Sequence, residues 1–228
     1  MMAVPARFPY RLMRGVLVAS GVLYCSLLLE LVAGYPLNVH DSFLSELGAL
    51  DQPTSPYARA MDLGSGVLLL LAAILGRPAA RMHRDVAGLL ISAAVFGAGT
   101  LFDALSPMSC APSLSQACRE SENSGQSGTA LVLHEITSTV AGIGSVALGI
   151  FAVLVLRRSG WGGVWGKVVA GLAAAVAVTQ AWLGIETGLE VLTGNDLHPP
   201  GILQRVSVGL VCLMLATLLP GLRQAFTR

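Results

Sequence analysis

Six apolar runs, parted by short polar stretches, set the pattern of this chain: about 12–33, 59–76, 85–102, 130–156, 165–188 and 201–220. Crossing a hydrocarbon core takes about 20 apolar residues at a rise of 1.5 Å each. The runs are long enough, and they do not alternate polar with apolar positions as the ten-residue strands of a membrane barrel would. They predict an all-α membrane protein, a six-transmembrane-helix bundle with residues 1–228 forming a single integral membrane domain.

The ends of the runs fit this reading. Arg7, Arg11 and Arg14 precede the first run as in the n-region of a signal peptide. That run is longer than the usual 7–15 residues, and Ala33-Gly34-Tyr35 is a poor cleavage site, so an uncleaved anchor is expected. Pro199-Pro200-Gly201 opens the last run, where proline suits a first helical turn, and Pro220-Gly221 stops it.

Composition agrees. The chain is 54% hydrophobic and 12% charged, about half the charge of a soluble domain, with a mean hydropathy of +0.71. Its basic residues are scattered beside the spans, which excludes a nucleic-acid-binding face.

Charge then orients the spans, because Lys and Arg in short loops stay in the cytoplasm. With the N-terminus inside, the inner side holds Arg7, Arg11, Arg14, Arg77, Arg81, Arg84, Arg157, Arg158, Lys167, Arg223 and Arg228, eleven in all. The outer side holds only Arg59, Arg119 and Arg205. Twelve of the thirteen carboxylates fall on that outer side, Asp85 being the exception. Both termini are predicted cytoplasmic, in a cell membrane. The inner loops are too short for a soluble catalytic domain, and no internal repeat argues for inverted transporter halves.

Two outer loops are long. In residues 34–58, Phe43, Leu44 and Leu47 share a helical face and Gly48 closes it, predicting a short helix on or in the outer leaflet. Residues 103–129 are rich in Ser, Gly and Asn and contain Cys110 and Cys118. On an oxidising surface these two predict a disulfide that staples the loop. Cys25 and Cys212 sit within spans.

The outer ends of the spans gather the candidate chemistry. His40, Asp41 and Glu46 lie in the first outer loop, and Asp62 opens the second span. Asp103 ends the third span, and His134 and Glu135 lie about a turn into the fourth. Glu186 and Glu190 end the fifth and His198 precedes the sixth. Thr179, Leu183, Glu186 and Glu190 share a face, and Glu30 stands near the outer end of the first span. A charge at membrane depth costs roughly 2.5–3.5 kcal/mol on insertion scales, so these side chains turn inward and find partners. Arg205 is the expected counter-charge for Glu186 or Glu190. Asp103, His134, Glu186, Glu190, Arg205, Glu46 and Asp62 are the expected lining of an outward pocket.

A sharper reading uses the imidazoles. His40, His134 and His198, with Asp103 as ligand or base, have the atom types for Zn²⁺ with one position left for water. No H-E-x-x-H motif is present, since Ile136-Thr137-Ser138 follow His134-Glu135. His83 lies among arginines on the inner side and reads as a solvated loop residue. Ser138, one turn beyond His134, offers a hydroxyl that could touch it, although no G-x-S-x-G elbow occurs. The glycine pairs Gly64 and Gly66, Gly97 and Gly99, and Gly142 and Gly144 read as close helix packing, within one chain or in a homo-oligomer.

Several strings resemble a known family: Leu44-Ser45-Glu46-Leu47-Gly48-Ala49, Met61-Asp62-Leu63-Gly64-Ser65-Gly66, Phe102-Asp103 and Leu133-His134. Together they resemble the bacterial six-helix family called domain of unknown function 998, over most of residues 10–220. That family is similar to the Frag/DRAM/Sfk membrane proteins, which include GPI-lipid-remodelling factors. Its pattern favours Phe-Asn where this chain has Met61-Asp62. The resemblance implies the six-helix fold and a membrane location, and supplies no activity.

Three functions stay open on these residues. One is an outward polar pocket for a membrane lipid headgroup or small ligand. The second is a zinc-dependent lipid hydrolase. The third, a proton-coupled transporter using Glu30 and Glu186, is opposed by the scarcity of acids in the inner halves of the spans.

Overall fold

The computed structural model describes residues 9–81, 83–124, 128–161, 163–193 and 200–224. Among these residues every regular element is helical. In chain order they are α1 (Tyr10–Tyr24), α2 (Ser26–Val32), a 3₁₀ turn (Leu44–Gly48), α3 (Ser55–Ala80) and α4 (Arg84–Leu105). They continue with α5 (Gln116–Asn123), α6 (Gly128–Ser159), α7 (Gly163–Thr193) and α8 (Gly201–Gly221).

Five helices, α3, α4, α6, α7 and α8, are each long and apolar enough to cross a membrane. The first apolar run departs from the expected single rod. It breaks at Cys25 into α1 and α2, which meet at 46° and have the span's length and apolarity only as a pair. The count is therefore five, or six when the bent pair is one span. The bend delivers Glu30 on α2 to a buried site, 1% exposed. A straight helix would carry an ionised side chain along the lipid instead.

The long helices pack as a ring in chain order: α1 on α3, α3 on α4, α4 on α6, α6 on α7, α7 on α8, and α8 back on α1. Met13, Leu17, Leu69, Phe96, Leu148, Met214 and Leu215 fill the centre. Large apolar side chains such as Leu12, Val67, Ile74, Ile91, Ile143, Val178 and Leu213 face outward. An outward apolar belt of this extent is what lipid covers.

Glycine sets the closest helix contacts. A Cβ at Gly66 would lie 2.6 Å from the Gly97 carbonyl oxygen, and one at Gly97 would lie 2.8 Å from that of Gly66. Gly99 meets the Ala141 backbone, and Gly144 meets Phe96. Thus α3, α4 and α6 approach backbone to backbone, as small residues permit in membranes.

The first long loop is tied into the bundle. Its short helix is a 3₁₀ turn whose Leu44 and Leu47 are 2% and 0% exposed, packed with Leu37, Ala58 and Val208. The apolar face of this turn is covered by protein. The loop also meets α8, where the Gly201 N–H donates to the His40 carbonyl at 3.0 Å. A side chain at Gly201 would overlap the Val39 and His40 carbonyls.

Candidate functional site

Most of the expected outer residues are resolved, and the structure divides them into separate groups. The first centres on Arg205, one turn into α8. Its Nε donates to Glu30 Oε2 at 2.9 Å, and its Nη2 also binds that carboxylate. Its Nη1 donates to the carbonyls of Ser42 at 2.8 Å and Gly201 at 2.9 Å. Here the sequence reading is corrected: the counter-charge of Arg205 is Glu30, brought in by the bend at Cys25, and not Glu186. The side chain of Glu190 lies outside the described residues, as does His198.

Glu46 belongs to the same closed region. It is 1% exposed. Its Oε1 accepts the Phe43 N–H at 2.8 Å, and its Oε2 accepts the N–H of Ser113 at 3.0 Å and the Ser113 hydroxyl. Gln204 Oε1 accepts the Leu44 N–H. Both carboxylates are thus consumed by protein donors. They bind α2, α8 and the two long loops to one another. The second loop is stapled by a Cys110–Cys118 disulfide with Cα atoms 6.1 Å apart. Asp51 accepts the Ala111 N–H at 3.1 Å beside it.

The second group lies between α3, α4 and α6. Asp103, in the last turn of α4, receives two hydroxyl donors on Oδ1: Thr137 Oγ1 and Ser138 Oγ, each at 2.7 Å. His134 Nδ1 stands 3.1 Å from the same oxygen. His134 is 9% exposed, and its Nδ1 closes no well-angled hydrogen bond. The His134 ring also lies beside the Ser106 backbone just past α4. Ser138 therefore touches Asp103, rather than His134 as its helical spacing suggested.

Asp62 faces this group from α3. It lies within electrostatic reach of Asp103 and His134, and of Tyr24 on α1 and Cys212 on α8. Tyr24 packs edge-on against Phe96, with ring centroids 5.1 Å apart. Asp62 is half-buried and accepts no hydrogen bond from any described residue. Two carboxylates and one imidazole therefore lie together, and no described Arg or Lys forms an ion pair with them.

The remaining candidates stand apart. Glu186 accepts the Trp182 indole N–H at 2.7 Å along α7, whose neighbours are α6 and α8. His40 is exposed in the first loop, where its N–H donates to Asn38 Oδ1. Among the described residues no three His, Cys, Asp or Glu side chains converge as a metal site.

Three contributors escaped the sequence reading: Thr137, Ser113 and Tyr24. Thr137 was legible, because it follows His134 by three residues and so lies near its face. Ser113 and Tyr24 reach their partners only through loop folding and the α1–α3 crossing.

Long apolar helices, a lipid-facing belt and polar groups turned into the bundle define a multi-pass membrane protein. The chain belongs to the family of proteins of unknown function designated DUF998, which it matches over residues 17–219. No curated protein and no solved structure matches it.

Proposed function

We propose that this protein is a six-span bundle of the bacterial cell membrane, with both termini cytoplasmic, that binds a lipid headgroup or small polar ligand between α3, α4 and α6. The observation that carries the reading is Asp62: a carboxylate facing Asp103 and His134 with no donor among the described residues. Even a half-buried carboxylate gains from a donor, and a ligand bringing an N–H or O–H group would supply one. The acidic balance favours a ligand with hydrogen-bond donors or a positive charge, such as an amine headgroup. The outer arginines offer no competing anion site: Arg59 donates to the Ala104 carbonyl, Arg119 to that of Pro112, and Arg205 is bound to Glu30. The 11-to-3 division of Lys and Arg supports the orientation.

The test is lipid retention by the full chain in mixed phosphatidylethanolamine and phosphatidylcholine bilayers, read by native mass spectrometry. Asp62→Asn, Asp103→Asn and His134→Gln should each lower phosphatidylethanolamine retention while membrane insertion stays intact. Wild-type retention in all three would remove the reading. Maleimide labelling of single-cysteine variants at Ser113 and Ser159 tests the orientation: Ser113→Cys should react from outside and Ser159→Cys from inside.

A second reading, a zinc-dependent lipid hydrolase, draws on the contact of His134 with Asp103. It requires His40 and His198 to join them. Metal analysis of the purified chain decides it: zinc below about 0.1 per chain, with lipid-directed activity intact, would exclude it.

A further inference from the structure

We infer that the arginine-rich end of the bundle carries a separate binding site for a phosphate-bearing anion, built by Arg77 and Arg81 at the C-terminal end of α3. The two residues are four apart, so their side chains leave the same face of the helix. They line, with Ala80, an open surface hollow of about 470 Å³. Gly76 sits against the Leu90 side chain, which packs the end of α3 onto α4 beneath them.

The hollow singles these two out among the exposed arginines of this end. The only carboxylate that the sequence places at this end is Asp85, and it is bound to Arg158 Nε at 2.6 Å. Arg77 and Arg81 make no ion pair or hydrogen bond with any described residue, and both are exposed. Arg84, at the start of α4, is likewise exposed and unpaired among the described residues. At the opposite end all three arginines are engaged. Two like charges one turn apart repel, and a shared anion relieves that repulsion.

Phosphate suits the donors. Guanidinium presents a planar fork that pairs with two phosphate oxygens at once. The end of α3 exposes carbonyls rather than N–H groups, so the side chains supply the attraction. The hollow lies at the end of a helix long and apolar enough to span a membrane, and basic clusters beside such ends attract anionic lipids. Inorganic phosphate shares the chemistry, and the test separates the two sources.

The full chain is extracted from bilayers of equal phosphatidylglycerol and phosphatidylcholine, and retained lipid is read by native mass spectrometry. Wild type should retain phosphatidylglycerol about thirtyfold over phosphatidylcholine, the scale expected of two arginines. R77Q/R81Q should fall to near parity with unchanged helicity and thermal unfolding, and R77K/R81K should recover part of the preference. R11Q/R14Q, which removes two exposed arginines from the first helix, should keep the preference. Retained preference in R77Q/R81Q, or equal loss in R11Q/R14Q, would overturn the site. Displacement of the lipid by a few millimolar inorganic phosphate would overturn the headgroup assignment. None of these readings involves Asp62, so the two sites stand or fall separately.

Discussion

The two buried polar clusters at the acidic end follow opposite rules. Around Arg205, every oxygen of Glu30 and Glu46 meets a donor, and the single cation is balanced by the carboxylate it touches. Around Asp103, two carboxylates and one imidazole come together with no ion pair to a described Arg or Lys, and Asp62 has no donor among the described residues. The closed cluster joins α2, α8 and two loops, and its carboxylates are fully engaged. The open cluster holds spare capacity in the middle of the bundle. Burial of charge alone therefore does not tell the two clusters apart; the accounting of donors and acceptors does.

The strongest way to break that contrast is to open the closed cluster. Glu30→Gln leaves the Arg205 guanidinium buried without its counter-charge, and should cost about 3–5 kcal/mol. Thermal unfolding in detergent measures this. Glu30→Leu with Arg205→Met should return most of the loss, because a well-packed apolar pair replaces a buried ion pair at little cost. A neutral Glu30→Gln would mean that the pair does not hold α2 against α8.

Removing the staple comes next. Chain entropy assigns a disulfide over this short loop about 2.5 kcal/mol. Cys110→Ser with Cys118→Ser should lower the unfolding midpoint and speed hydrogen exchange at Ser113, where Glu46 is held. Exchange around His134 and Asp103 should change little. Equal changes at both places would merge the two clusters into one unit.

Ser113→Ala is milder. Glu46 Oε2 keeps the backbone N–H of residue 113 and loses only a hydroxyl, so a loss of about 1 kcal/mol is expected in the same unfolding assay. The smallest effect belongs to the open cluster. Asp62→Asn removes a carboxylate that no donor satisfies, and should shift stability by less than about 1 kcal/mol, towards greater stability. A large destabilisation would show that Asp62 supports the fold, and would dissolve the contrast.

Within the helices, much was legible in advance. Each long helix encloses the apolar run that predicts it, because hydrocarbon imposes length and composition on a spanning segment more strictly than water does. The small-residue pairs at Gly66, Gly97 and Gly144 likewise announced close crossings. The bend at Cys25 carried no such sign, since no proline or glycine marks it. Without that bend, Glu30 looked like an isolated charge, and Arg205 was assigned to the acids nearest along α7.

The sequence by itself determined the five long helices and the sorting of charge among the apolar runs, because lipid penalises each residue locally and that penalty is written position by position. Only the tertiary structure decided which carboxylate meets which donor. Partners such as Glu30 and Arg205, or Glu46 and Ser113, lie far apart in the chain. Their contact depends on the order of helices around the ring and on where one helix breaks, and no local pattern encodes either.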